Sequence, residues 1–161
     1  MTDLVPLLQE FYQDKLSSLL RHTAGARLVT QYDANNTYQH IIGREETQLG
    51  WVGQAITALG GAVATAGPEP DRRGRAKGAV AGVVAEEDAR EARAFVERWR
   101  PKVDAMTNAR HRGMLNVILG ETLEQARFFD QALAGRKDLL GRRTTGVGAL
   151  VGDVLATRWI E

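Results

Sequence analysis

The chain has 161 residues, of which 43% are hydrophobic and 25% charged, with a net charge of +1 and no cysteine. That length can bury one sizeable core, and the balanced charge draws the chain to neither nucleic acid nor a membrane surface. The missing thiols exclude disulfides, thiol catalysis and thiolate metal sites; the acidic, amphipathic start and the lack of ~18 uninterrupted apolar residues predict a cytoplasmic protein with no membrane span.

A first helix is predicted from Asp3, a good N-cap, with Pro6 accommodated in its first turn. Leu4, Leu8, Phe11, Tyr12, Leu16 and Leu19 recur at three- and four-residue steps, and the pattern runs on toward Tyr32. Asp33-Ala34-Asn35-Asn36 carries turn and capping residues. A second helix should start there, run through Ile41, Leu49, Val52 and Ile56, and stop at Gly60-Gly61, so that the two helices form an antiparallel hairpin. Residues 61–78 are rich in Gly, Pro and Arg with no period, which predicts a long connection, either a crossover along the bundle or a surface loop. Its basic part, Asp71–Lys77, has no aromatic residue to stack on bases, so no nucleic-acid partner is expected.

A third helix is predicted over about Ala79–Trp99, with Val80, Val84, Ala92, Phe95, Val96 and Trp99 inward and Pro101 kinking or ending it. A fourth should pass through Val103, Met106, Met114, Leu115, Ile118, Phe128 and Leu133 to Gly135. The tail holds one short apolar piece, Ala149–Trp159, that could pack across an end of the bundle or against a second subunit. Gly146, Gly148 and Gly152 do not make the dinucleotide fingerprint, because their spacing is wrong and no strand precedes them. No strand is predicted anywhere. The expected fold is a single all-α domain over residues 1–161, with the core bundle at about 3–135 and a C-terminal extension at 136–161.

Two stretches, Ile41–Gly61 and Val117–Gly135, resemble one another, and each carries a glutamate on the face that points into the core. At about 100° per residue, Glu45 falls among Ile41, Val52 and Ile56, while Glu121 and Gln125 fall among Met114, Ile118 and Phe129. Buried acids are rare unless paired or bound to a metal. Stepping back about 33 residues from Glu121 reaches Asp88 on the third helix, and the same step from Glu45 reaches Tyr12 on the first. Four-helix bundles use inward carboxylates to hold two metal ions, with a Glu on each of two helices and a Glu-x-x-His pair on each of the others.

By helix order, the long middle connection and the phrase GREETQLGWVGQAITALGG, residues 3–135 resemble the ferritin-like superfamily, in particular the small rubrerythrin-type proteins. The resemblance implies an antiparallel four-helix bundle with a long connection between helices two and three and a short C-terminal helix. Its ligand positions map onto Tyr12, onto Glu45 or Glu46 with Gln48 or Leu49, onto Asp88 or Glu91, and onto Glu121 with Glu124 or Gln125. Neither Glu-x-x-His is intact, and Tyr12 stands where the family has a carboxylate. A surviving site of Glu45, Asp88, Glu121 and Glu124, with Tyr12, Gln48 and Gln125 as neighbours, would be oxygen-only and suited to iron or manganese. Under the plainer reading the carboxylates pair with Lys15, Tyr12, nearby arginines or each other, and no metal binds.

His22 is expected as a core or capping residue, His40 on a polar face, and His111 some ~15 Å from Glu121 along the helix. The expectation is therefore a structural or interaction module with a decayed metal site and no cofactor, assembling as a homo-oligomer, in the simplest case a dimer. The competing expectation is an iron- or manganese-dependent oxidoreductase with a carboxylate-rich site in the bundle core.

Overall fold

The computed structural model describes residues 3–65, 67 and 80–133, and among these it is an all-α four-helix bundle without strands. The helices are α1 (Leu4–Ala26), α2 (Tyr32–Ala58), α3 (Val80–Asp104) and α4 (Ala109–Leu133). The predicted apolar piece at 149–159 and the basic part of the connection lie outside the described residues.

The helix ends follow local chemistry. Asp3 caps α1 by accepting from the Val5 amide at 3.3 Å, and Pro6 lies in the first turn, where an amide proton has no helical acceptor. α1 stops at Ala26 rather than running toward Tyr32. The carboxamide of Asn35 donates to the carbonyls of Ala26 (2.8 Å) and Val29 (3.0 Å), satisfying the frayed end of α1 from the start of α2. The Gln31 side chain accepts from the Ala34 amide, so α2 begins one to two residues before the Asp33–Asn36 turn signal. At the far end Gly60 takes φ +83°, which an L side chain resists, and the Gly61 amide donates to Ile56 O at 2.9 Å. A Cβ at Gly61 would come within 3 Å of Val5 and Ile56, so glycine is needed for this close approach.

Pro101 does not end α3, which continues to Asp104. Val103 therefore belongs to α3, Met106 to the turn, and α4 starts later than its apolar period suggests. Asn108 sets that start by accepting from the His111 amide at 3.1 Å.

Short turns join α1 to α2 and α3 to α4, making two antiparallel hairpins. Ion pairs fix how they stack. Glu10, Asp14 and Arg21 of α1 meet Lys102, Arg98 and Asp88 of α3, so these helices are antiparallel. Lys15 and His22 of α1 meet Thr122 and Phe129 of α4, so that diagonal pair is parallel. The end of α2 and the start of α3 thus lie at opposite ends of a bundle about 35 Å long. The described part of the connection climbs in that direction: Gln9 donates to Ala62 O, Val63 sits by Gly53, and Gly67 lies against Gln13, Leu16 and Leu20.

The interior has two halves. Leu8, Phe11, Val52, Ile56, Phe95, Trp99, Val103, Leu115, Ile118 and Leu119 form one apolar cluster, with Phe11 edge-on to Phe95 and Trp99 at centroid distances of 5.4 and 4.9 Å. Tyr38, Ile41, Val84, Ala85, Ala89 and Phe129 form a smaller one at the other end. Between and within the second half lies a set of buried polar side chains.

Candidate functional site

Leu8, Phe11, Lys15, Ser18 and His22 follow one another on α1 at alternating steps of three and four, and all five are buried. The stripe that faces the core therefore contains a lysine and a histidine, while Tyr12, Leu16 and Leu19 are rotated toward α2. They line an open groove of about 750 Å³ with Leu49, Gly53 and Val63. On α2 the inward residues are Glu45 and Gln48, both fully buried. On α4 the stripe is Leu115, Ile118, Thr122, Gln125 and Phe129, again at steps of three and four. The residue predicted inward, Glu121, is one position off this stripe and half-buried at the rim. Thr122 takes its place.

Glu45 is the centre of the polar set. One carboxylate oxygen, Oε1, is in very short contact with His22 Nδ1, and the other, Oε2, forms an ion pair with Lys15 Nζ at 3.3 Å. The Lys15 ammonium also donates to Thr122 Oγ1 at 3.1 Å and lies 5.1 Å from the centre of the Phe95 ring, while Thr122 passes its own proton to Ile118 O. Burial alone would raise the Glu45 carboxyl above its usual 4.5. The charges of His22 and Lys15, and their hydrogen bonds, outweigh burial and hold it below that value.

Two further acids have separate partners. Asp88 on α3, also fully buried, accepts from the Tyr38 hydroxyl at 2.5 Å and faces Arg21 Nε at 3.4 Å. Glu121 is held by Arg44 at 2.5 Å and by the carboxamide nitrogen of Gln48. Glu124 is outside the core altogether, on the α4 surface with Arg127.

The structure thus brings Glu45 into contact with Lys15 and His22, Asp88 with Tyr38 and Arg21, and Glu121 with Gln48 and Arg44. It does not bring the four mapped carboxylates around one point. Among the described residues no group of three or more His, Asp and Glu side chains is placed to hold a metal ion. The donor set does not fit a two-metal centre either, because the best-buried carboxylate already faces an ammonium within the core. His40 is exposed beside Phe128, as its polar face predicts, and His111 sits in the first turn of α4, ten residues before Glu121.

Sequence reasoning named Lys15 as a partner for the carboxylates and gave His22 a core or capping place, but it missed the contact of His22 with Glu45 and of Thr122 with Lys15. The signal was there in the strict three-four spacing of Leu8, Phe11, Lys15, Ser18 and His22, and it was masked by the more hydrophobic side at Tyr12, Leu16 and Leu19. The candidate site is a cluster of buried acids, each facing a cation or a hydroxyl from another helix. No described helix is long and apolar enough to cross a membrane. Comparison of the chain with known protein families, curated proteins and solved structures gives no match.

Proposed function

We propose that this chain is a ferritin-like bundle whose core carboxylates serve ion pairs in place of metal ions, and that it works as a structural or interaction module, self-associating as a homodimer, with no redox chemistry. The observation that carries this reading is the buried Lys15 ammonium beside Glu45. A side-chain cation there supplies the charge that a core carboxylate otherwise takes from a metal. It also opposes metal entry, since two unit charges ~4 Å apart repel by about 4 kcal/mol at an effective dielectric of ~20, and a divalent ion feels this twice over. Arg21 beside Asp88 and Arg44 beside Glu121 repeat the arrangement on two other helices.

The test is elemental mass spectrometry on protein purified from iron- and manganese-supplemented culture, with a Glu45→Ala, Glu121→Ala variant alongside. The expected result is no stoichiometric metal in either protein. One or two equivalents per chain, lost in the variant, would overturn the reading. Sedimentation of the same preparation tests the dimer, and a monomer at all concentrations removes self-association from the proposal.

A further inference from the structure

The centre of the bundle has more hydrogen-bond acceptors than its own donors serve. Three buried atoms there lack a partner, Gln48 Oε1, Gln125 Oε1 and His22 Nε2, and a fourth, Glu45 Oε2, has only its ion pair with Lys15. Helix geometry puts them in adjoining layers. Gln48 is one turn past Glu45 on α2, and Gln125 lies on α4 between Thr122, which holds Lys15, and Phe129, which lies against His22. The two amide oxygens can only accept, and so can Glu45 Oε2 when the carboxylate is ionised. The Gln48 amide cannot turn to change this, because its nitrogen is engaged by the Glu121 carboxylate. The chain's own donors do not reach these oxygens: Lys15 donates to Thr122 and pairs with Glu45, the hydroxyls of Thr122 and Ser18 go to backbone carbonyls of their own helices, Arg21 Nε faces Asp88, and the carboxamide nitrogen of Gln125 leaves both amide oxygens unserved.

A buried amide oxygen without a donor destabilises the fold, and two together in one core do so more. What is required is a donor that enters from outside the chain, is small, and has no charge, because Lys15 and Glu45 already balance. A divalent cation meets the first two conditions and fails the third.

We infer that the core between α1, α2 and α4 is a binding site for one or two water molecules, which donate to Gln125 Oε1, Gln48 Oε1 and Glu45 Oε2. Water also serves His22 Nε2 in either ring state, as donor to the neutral imidazole or acceptor from the imidazolium. A polar site with three or four such partners meets the usual coordination of internal water. The bound water completes the Glu45 cluster and links to it the two glutamines, whose amide oxygens accept no hydrogen bond from Lys15 or His22. This inference stands apart from the proposed function, since a scaffold or an enzyme could equally contain such a site.

The test is a crystal structure of the full chain at atomic resolution, together with the same structure for Gln125→Leu. The expected result is a full-occupancy water within hydrogen-bond distance of Gln125 Oε1 and at least one of Gln48, Glu45 and His22, and its loss from the variant. In solution, the side-chain amide protons of Gln125 should show nuclear Overhauser contacts to a long-lived water. Direct pairing of the glutamines with Glu45 or His22, or a dry core, would overturn the inference. A metal ion at the position, identified by anomalous scattering, would overturn it together with the proposed function, whereas metal found elsewhere would overturn only the latter. If Gln125→Leu does not fold, the unaltered protein still decides.

Discussion

The two halves of this bundle are built from the same four helices and have opposite interiors. Toward the start of α1 the core is dry, with Phe11, Phe95 and Trp99 meeting edge-to-face among leucines, isoleucines and valines. Toward its end the same helix faces bring Lys15, His22, Glu45, Tyr38 and Asp88 together. Apolar burial is worth about 25 cal/mol per Å² whatever the arrangement, whereas a buried ion pair gains little beyond its desolvation cost. The dry half therefore supplies stability, and the polar half supplies register. A core of interchangeable apolar residues tolerates sliding, but Glu45 can reach His22 and Lys15 from only one helical position.

Double variants break that comparison most sharply. In the dry half, Trp99→Ala removes the largest fully buried side chain and should lower unfolding free energy by about 3–5 kcal/mol, and adding Phe11→Ala should lower it further. In the polar half, Lys15→Met leaves the Glu45 carboxylate with His22 alone and should also cost about 3–5 kcal/mol. There the second change should repair the first. Lys15→Met with Glu45→Leu replaces charges by apolar groups of similar size and should return to within ~1–2 kcal/mol of the original protein, or exceed it. Urea unfolding of the four variants and the original protein measures this. If the polar double variant is as unstable as Lys15→Met alone, the two halves do not differ in the way described.

Acid titration separates the halves next. His22 and Lys15 hold the folded Glu45 carboxyl below 4.5, the value taken for the unfolded chain. The unfolded chain therefore takes up the proton first as pH falls. The stabilisation is fully present above 4.5 and is lost progressively as pH drops through the folded value. Glu45→Gln should be less stable than the original at neutral pH, and the gap between them should close below pH 4.5. Trp99→Ala should instead stay below the original by a constant amount across the same range. A Glu45→Gln gap that is flat with pH would mean that Glu45 gains nothing from its partners.

The dry half was legible in the sequence because its residues obey one rule, and the period of Phe95, Trp99, Leu115 and Ile118 places them without knowledge of their neighbours. The inward positions of Glu45 and Asp88 were legible for the same reason. Glu121 was misplaced by one residue because Met114 and Phe128, both only partly buried, widen the apparent stripe of α4 toward it. The kind of partner was legible, a lysine and arginines for the core acids, and Lys15 was among those named. The contacts of His22 with Glu45 and of Tyr38 with Asp88 were not: Tyr38 and Asp88 lie 50 residues apart, and only the crossing of the bundle's helices brings them together.

The smallest expected effects are at the rim, where Glu121 bridges the two kinds of interior. Its side chain and that of Arg44 are 31% and 38% exposed, so water screens the pair and its measured worth should be ~0.5–1 kcal/mol, against several for Lys15 and Glu45. Arg44→Ala should accordingly destabilise by no more than that, and most of the loss should vanish in ~1 M salt, where the screening length falls to about 3 Å. Lys15→Met should keep its full penalty in the same salt, because no counter-ion reaches the core. Arg127→Ala, which breaks a more exposed pair with Glu124 on the same helix, should fall below ~0.5 kcal/mol. Exposure grades these three pairs, and salt dependence is the measurement that reads it. Were Arg44→Ala salt-independent and costly, Glu121 would have to be counted with the buried cluster, and the boundary between the polar core and the surface would move outward by one helical position on α4.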